Sequence, residues 1–233
     1  MTVDETPENS IDVLDHGFVR LDGALADDLS VANAARVSFA RRKTELDESD
    51  EGLIRFLMRD RHGTPFEHNA FRFHVQCPIF VAREWFRHRV GSFNEFSMRY
   101  AKATDEFYVP SPGDVRSQVG KPGAYTFETV DSELAERARS EIEAVYQQAY
   151  GTYERLVEAG VARELARAVM PVGAYTQFYW TVNARALMNF ISLRAAETAQ
   201  LEIRRYADAV EMFFADKMPV THAAFVANDR TAP

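Results

Sequence analysis

Arg87 to Tyr100 reads RHRVGSFNEFSMRY, fourteen residues holding three arginines, one histidine, one glutamate, two serines and one asparagine. A guanidinium presents a planar fork of N–H donors suited to phosphate oxygens, and neighbouring serine hydroxyls and backbone amides can complete an anion site. The chemistry this implies is capture of a phosphorylated small molecule. A solvated, salt-bridged loop is the competing reading, because charged residues are usually exposed. Spacing alone leaves both open.

The same segment matches all nine specified positions of the motif RHRxxSxNExSxRY and therefore resembles the flavin-dependent thymidylate synthase family. Further segments resemble that family in order: AARVSFA at 34–40, HGTPFEH at 62–68, ELARAVMP at 164–171, NARALMNF at 183–190 and LR at 193–194. The resemblance covers most of the chain. It implies a mixed α+β fold with a central, mostly antiparallel sheet flanked by helices, as one domain over residues 1–233. It implies a homotetramer whose active sites are each assembled from more than one subunit. It also implies FAD as cofactor, with methylenetetrahydrofolate giving one carbon to C5 of dUMP, reduced flavin supplying the hydride, and NADPH reducing the flavin. No enzyme thiol adds to the pyrimidine in this family, which agrees with a single cysteine, Cys77, read as a small core residue closing FRFHVQC.

Residue by residue, the resemblance assigns Arg87, His88 and Arg89 to the flavin, with Arg87 also facing the nucleotide. Asn94 and Glu95 approach flavin and uracil, and Ser97 and Arg99 form the phosphate cradle. Glu164 and Arg167 match nucleotide contacts, their i, i+3 spacing placing both on one helix face, where a surface ion pair is the alternative. Ser38, His62, Thr64 and Glu67 match flavin contacts, as do Asn183, Arg185 and Asn189, where a helix N-terminus also favours a pyrophosphate. Arg194 is assigned as the catalytic residue: a guanidinium beside the imide stabilises the N3 anion. The alternative for Arg194 is a helix-face salt bridge to Glu197 or Glu202. Glu84 is assigned to the nucleotide, although many members carry Gln there, and Thr198 stands where histidine is common. No metal is expected, since His62 and His68 lack further ligands at suitable spacing.

These residues need elements to position them. Phe71, Phe73 and Val75 alternate with Arg72, His74 and Gln76, a period-two strand ended by Pro78. Ile79 to about Val90 has helical composition, with Gly91 suited to its end. Tyr108 to Thr126, with Pro110, Pro112, Gly113, Gly120, Pro122 and Gly123, reads as a loop. Asp131 can cap a long helix running to about Gly160, on which Leu134, Ala138, Ile142, Val145, Ala149, Tyr153 and Leu156 recur at three- and four-residue steps. Ala162 to Met170 reads as a shorter helix stopped by Pro171, and Tyr175 to Val182 as a strand. Asn183 can cap a final helical region to about Lys217, with one break.

The whole chain of 233 residues is 46% hydrophobic and 27% charged, enough apolar material for a core and unlike a disordered polypeptide. Its 27 basic against 35 acidic residues leave −8, which argues against general nucleic-acid binding. One cysteine points to a reduced, intracellular setting. No apolar run suits a membrane helix, and the start MTVDETPENS lacks the features of a secretory signal, so a cytoplasmic location is expected. A uridine nucleotide is the expected substrate, dUMP leading and UMP, or another uridine nucleotide, the alternative. A non-catalytic flavin- or RNA-binding module is the reading from another class, with the acidic balance against it.

Overall fold

The computed structural model describes residues 9–121 and 123–233; the first eight residues of the acidic start, and Pro122 of the expected loop, lie outside that description. Along the chain come β1 (Ser10–Val13), β2 (Gly17–Leu25), α1 (Asp28–Arg36), α2 (Glu48–Arg59), β3 (Ala70–Pro78), α3 (Ile79–Trp85), β4 (Ser92–Glu95), β5 (Arg116–Lys121) and β6 (Ala124–Thr129). Then follow α4 (Ser132–Glu158), α5 (Arg163–Ala166), β7 (Tyr175–Asn183), α6 (Ala184–Arg194), α7 (Leu201–Lys217) and α8 (Pro219–Ala227). Five strands form one sheet in the order β1-β2-β3-β7-β4, every pairing antiparallel. The mixed fold with an antiparallel sheet flanked by helices is thus as expected. No helix among the described residues is long and apolar enough to cross a membrane.

The alternation in β3 becomes two faces. Phe71, Phe73, Val75 and Cys77 are fully buried, while Arg72 is exposed on the other side. On β7, Phe178, Trp180 and Val182 are buried in the same way, with Phe73 opposite Trp180 in register. Helices α6 and α7 cover this apolar face. Trp85 at the end of α3 stacks on Phe190 of α6 at 4.7 Å and meets Phe178 and Trp180 edge-on, each at 5.3 Å. Removing so large a ring from such a core costs about 3–5 kcal/mol. Trp85 therefore ties the last turn of α3 to α6.

Tyr206 of α7 donates from its hydroxyl to the Gln76 carbonyl at 2.8 Å. That contact passes so close to β2 that a Cβ on Gly17 would lie 1.8 Å from the Tyr206 hydroxyl and under 3 Å from the carbonyls of Val13 and Gln76. Burial holds the Cys77 thiol well above its usual range, in keeping with a core role.

Two expectations are corrected. The helix beginning at Ile79 stops at Trp85 rather than near Val90, because Phe86 leaves it to pack on Phe93 at 4.9 Å and Phe178 at 5.0 Å. Gly91 does not cap it; a Cβ there would approach Trp180 Nε1 to 2.9 Å and the Thr181 carbonyl to 3.0 Å. The segment expected as a loop over 108–126 instead carries the β5–β6 hairpin, paired from Arg116 with Thr129 to Lys121 with Ala124. Gly120 and Gly123 accept φ of 111° and 86° at its turn.

The long helix starts as expected, Asp131 accepting from the Leu134 amide at 2.9 Å, and Gly160 follows its end at φ 89°. Of its apolar stripe only Tyr153 is buried, whereas Leu134 and Val145 remain exposed. The final helical region breaks between Arg194 and Leu201, and α8 follows it. That last helix gave no amphipathic signal because its sequence, PVTHAAFVA, is apolar nearly all round.

Candidate active site

Asn183 ends β7 and caps α6, its Oδ1 accepting from the Ala186 amide at 2.8 Å. The first turn of α6, with the partial positive charge of a helix start, lines a cleft of about 810 Å³. Into the same cleft come the turn after α3 and the 3-10 turn Thr64–His68. Eight expected residues line it together: Glu67, Arg87, His88, Arg89, Asn183, Arg185, Asn189 and Arg194. A second cavity of about 600 Å³ gathers Ser38, His62 and Thr64, and Arg185 lines both.

Arg185 donates from Nη1 to Glu67 Oε1 and from Nε to the Pro233 carbonyl, both at 2.6 Å. Gly63 makes room for it, since a Cβ at that position would stand 2.4 Å from Arg185 Nε. Gly63 and Pro233 were not singled out from the sequence. Gly63 lies inside HGTPFEH and could have been, but Pro233 lies outside every matched segment.

Arg194, the last residue of α6, makes three contacts. Its Nε donates to His88 Nε2 at 3.0 Å, its Nη1 to Glu84 Oε2 at 2.9 Å, and its Nη2 to the Glu84 carbonyl at 3.2 Å. Glu84 is therefore its partner, in place of the Glu197 or Glu202 weighed from helix spacing. Burial, opposed by the pull of Arg194, raises the Glu84 carboxyl above the usual carboxylate range. His88 packs edge-on against Phe190 at 5.0 Å. Burial, reinforced by the charges of Arg194 and Arg87, brings its pKa down to about 4. A neutral ring leaves Nε2 free to accept, which assigns the proton to Nδ1.

A testable consequence concerns acid. An unfolded chain takes up a proton at His88 near 6.5, whereas the folded one does so only near 4. The contribution of His88 to stability is thus present above pH 6.5 and lost as pH falls from 6.5 towards 4. Denaturant unfolding of His88→Gln against wild type should show a shallower loss of stability across that window in the variant. Parallel curves would contradict a neutral His88.

The remaining expected residues form a separate patch. Glu95 Oε1 accepts from Thr176 Oγ1 at 2.8 Å, with Asn94 beside it on exposed β4. Arg99 donates from Nε to Ser97 Oγ at 3.3 Å and lies over the Tyr100 ring. Arg163 on α5 donates to the Tyr100 carbonyl at 3.1 Å, tying the segment of Glu164 and Arg167 to this patch. Arg167 Nε reaches the Glu164 carbonyl at 3.4 Å and forms no ion pair with its carboxylate. Thr198 lines a smaller cavity beside Asp114, Arg116 and Phe127.

A family model described as thymidylate synthase complementing protein matches residues 21–220. The chain is 49% identical over 214 residues to the flavin-dependent thymidylate synthase of Thermosipho africanus, covering 92% of each. The chain belongs to the flavin-dependent thymidylate synthase family. Its relative in Streptomyces coelicolor is 47% identical over 228 residues, 92% of this chain and 93% of the other. Crystal structures of a UMP/dUMP methylase, PolB from Streptomyces cacaoi, are also similar. The complex with 5-Br UMP has a TM-score of 0.88 at 42% identity, over 96% of this chain and 99% of that one. The complex with 5-Br dUMP gives the same TM-score at 43% identity. Flavin dependence thus comes with the family.

Proposed function

We propose that this protein methylates C5 of dUMP, taking the one-carbon unit from methylenetetrahydrofolate and the hydride from FAD reduced by NADPH. The observation that carries the reading is a cleft that brings eight motif-derived residues together, with Arg194 held by three contacts at its side.

The residues fit a flavin dinucleotide by their donor chemistry. Arg87, Arg89 and Arg185 with the capped start of α6 suit a pyrophosphate, and two adjoining cavities meeting at Arg185 suit a ligand with two end groups. When bound, the flavin supplies the hydride. Asn183 and Asn189 offer amide groups to orient it, and Ser38, His62, Thr64 and Glu67 surround the adjoining portion.

Arg194 acts on the pyrimidine. A guanidinium at the N3–O4 edge favours loss of the N3 proton and stabilises the resulting anion, which increases the electron density at C5 for bond formation. Ser97 and Arg99, with Arg167, supply donors for the nucleotide phosphate. Their patch is separate from the cleft within one chain, which is the reason to place them in the active site of another copy. The proposed assembly is a homotetramer with shared sites, working in the cytoplasm.

UMP is the second reading, favoured by the similarity to an enzyme named a UMP/dUMP methylase. Purified protein supplied with FAD, NADPH and methylenetetrahydrofolate should be yellow and should turn over dUMP with a higher kcat/KM than UMP. A preference for UMP would transfer the assignment to the second reading. Colourless protein that neither binds FAD nor oxidises NADPH would end both.

A further inference from the structure

Glu84 was expected to touch the nucleotide, yet one oxygen of its carboxylate and its backbone carbonyl already accept from Arg194. Arg194 carries five N–H donors, and three of its nitrogens are engaged within the chain: Nη1 and Nη2 by the side chain and carbonyl of Glu84, and Nε by His88. One N–H on each Nη remains available to a ligand. The side chains of Arg194 and Glu84 are 18% and 25% exposed, so the pair is largely withdrawn from water without being sealed from the cleft.

The backbone explains the second contact. Because α3 ends at Trp85, the His88 amide donates to the Trp85 carbonyl rather than to that of Glu84. The Glu84 carbonyl, approached by the Arg87 amide at 3.4 Å and by the Phe86 amide, also accepts from Arg194 Nη2. Trp85, stacked on Phe190, fixes the distance between the two helix ends. Glu84 and His88, three and one residues from Arg87, thus grip the guanidinium from the two sides of one turn.

We infer that Glu84 is a positioning residue: side chain and carbonyl together orient Arg194 so that its two unengaged N–H groups face the pyrimidine. This rests on the functional reading above. A glutamine, of the same length, suits the position equally, since an amide oxygen can accept from Nη1 as a carboxylate does. A carboxylate shortened by one methylene cannot keep the same contact with Arg194.

The test compares Glu84→Ala, Glu84→Asp and Glu84→Gln, reading kcat and, by calorimetry, the dissociation constant for dUMP. Glu84→Ala should lose about 10- to 100-fold in kcat, the size of effect expected when a charge-assisted contact is lost, with the dissociation constant changed by less than about threefold. Glu84→Asp should lose kcat in part, and Glu84→Gln should recover most of it. Flavin content and thermal unfolding of each variant separate these effects from misfolding, and Glu84→Asp keeps the comparison informative if the alanine variant fails to fold. A dissociation constant raised tenfold at unchanged kcat would make Glu84 a ligand, and wild-type kcat in the aspartate variant would remove its positioning role. A second readout is independent of turnover. The Arg194 Nη–H resonances, identified by their absence in Arg194→Ala, should be protected from exchange in wild type and Glu84→Gln and exposed in Glu84→Ala. Protection kept in Glu84→Ala overturns the inference even if wild type proves inactive on every nucleotide, a result that would count against the functional reading alone.

Discussion

Arg194→Ala is expected to lower methyl transfer by at least about 10²- to 10³-fold, the range seen when one preorganised donor to a developing anion is removed. Flavin should stay bound. The contacts of Arg194 run to Glu84 and His88, while Glu67 and Pro233 hold Arg185 independently at the other end of α6. The variant should therefore retain its yellow colour and a near-stoichiometric flavin content while failing in single-turnover methylation of dUMP. Turnover close to wild type would remove Arg194 from the catalytic role. Lysine at this position is not an equivalent, because one ammonium cannot reproduce a planar fork that serves Glu84, His88 and a ligand together.

The largest effect on stability is expected at Gly17. An added Cβ would fall 1.8 Å from the Tyr206 hydroxyl and 2.7 and 2.8 Å from two backbone carbonyls, so neither β2 nor its neighbours can yield easily. Overpacking together with loss of the buried Tyr206 to Gln76 hydrogen bond should cost about 2–6 kcal/mol. For a chain of this length that corresponds to a Tm lower by roughly 10 °C. Tyr206→Phe removes the clashing oxygen, and Gly17→Ala combined with it should recover part of the loss, a coupling that a double-mutant cycle measures. A Tm for Gly17→Ala within about 2 °C of wild type would show that the close approach is not rigid.

The parts of the fold legible in the sequence are those where one face of an element meets the core. Phe71 to Gln76 and Tyr175 to Val182 alternate because helices cover only one side of the sheet, and Asp131 and Asn183 announce helices through short-range capping. The β5–β6 hairpin escaped notice for the opposite reason. All of β6 and nearly all of β5 are exposed, so Val119, Tyr125 and Phe127 follow no inside–outside pattern. The end of α3 was misplaced because IFVAREWFRHRV continues in helix-forming residues; the stop comes from Phe86 finding Phe93 and Phe178, which are distant in sequence or belong to another strand.

The site divides along the same line. Its residue types came from the RHR, HGTPFEH and NARALMNF segments, and the cleft together with the second cavity gathers them. The partner of Arg194 did not come from the sequence, because helix spacing offers only neighbours on the same helix, whereas Glu84 is 110 positions away. Nor could spacing reveal that Ser97 and Arg99 sit apart from the cleft, since β4 carries the intervening chain to the edge of the sheet.

Helix α6 spans eleven residues between its Asn183 cap and Arg194, so at 1.5 Å per residue it acts as a ruler of about 16 Å. In the proposed function one end of the ruler serves a cofactor phosphate and the other a pyrimidine edge. Substitutions along its buried side can be absorbed by repacking, but one inserted residue would swing Arg194 by about 100° and leave Asn183 where it was. What this stretch of chain has to preserve through sequence drift is therefore a count, and the tolerance of α6 to replacement should far exceed its tolerance to insertion or deletion.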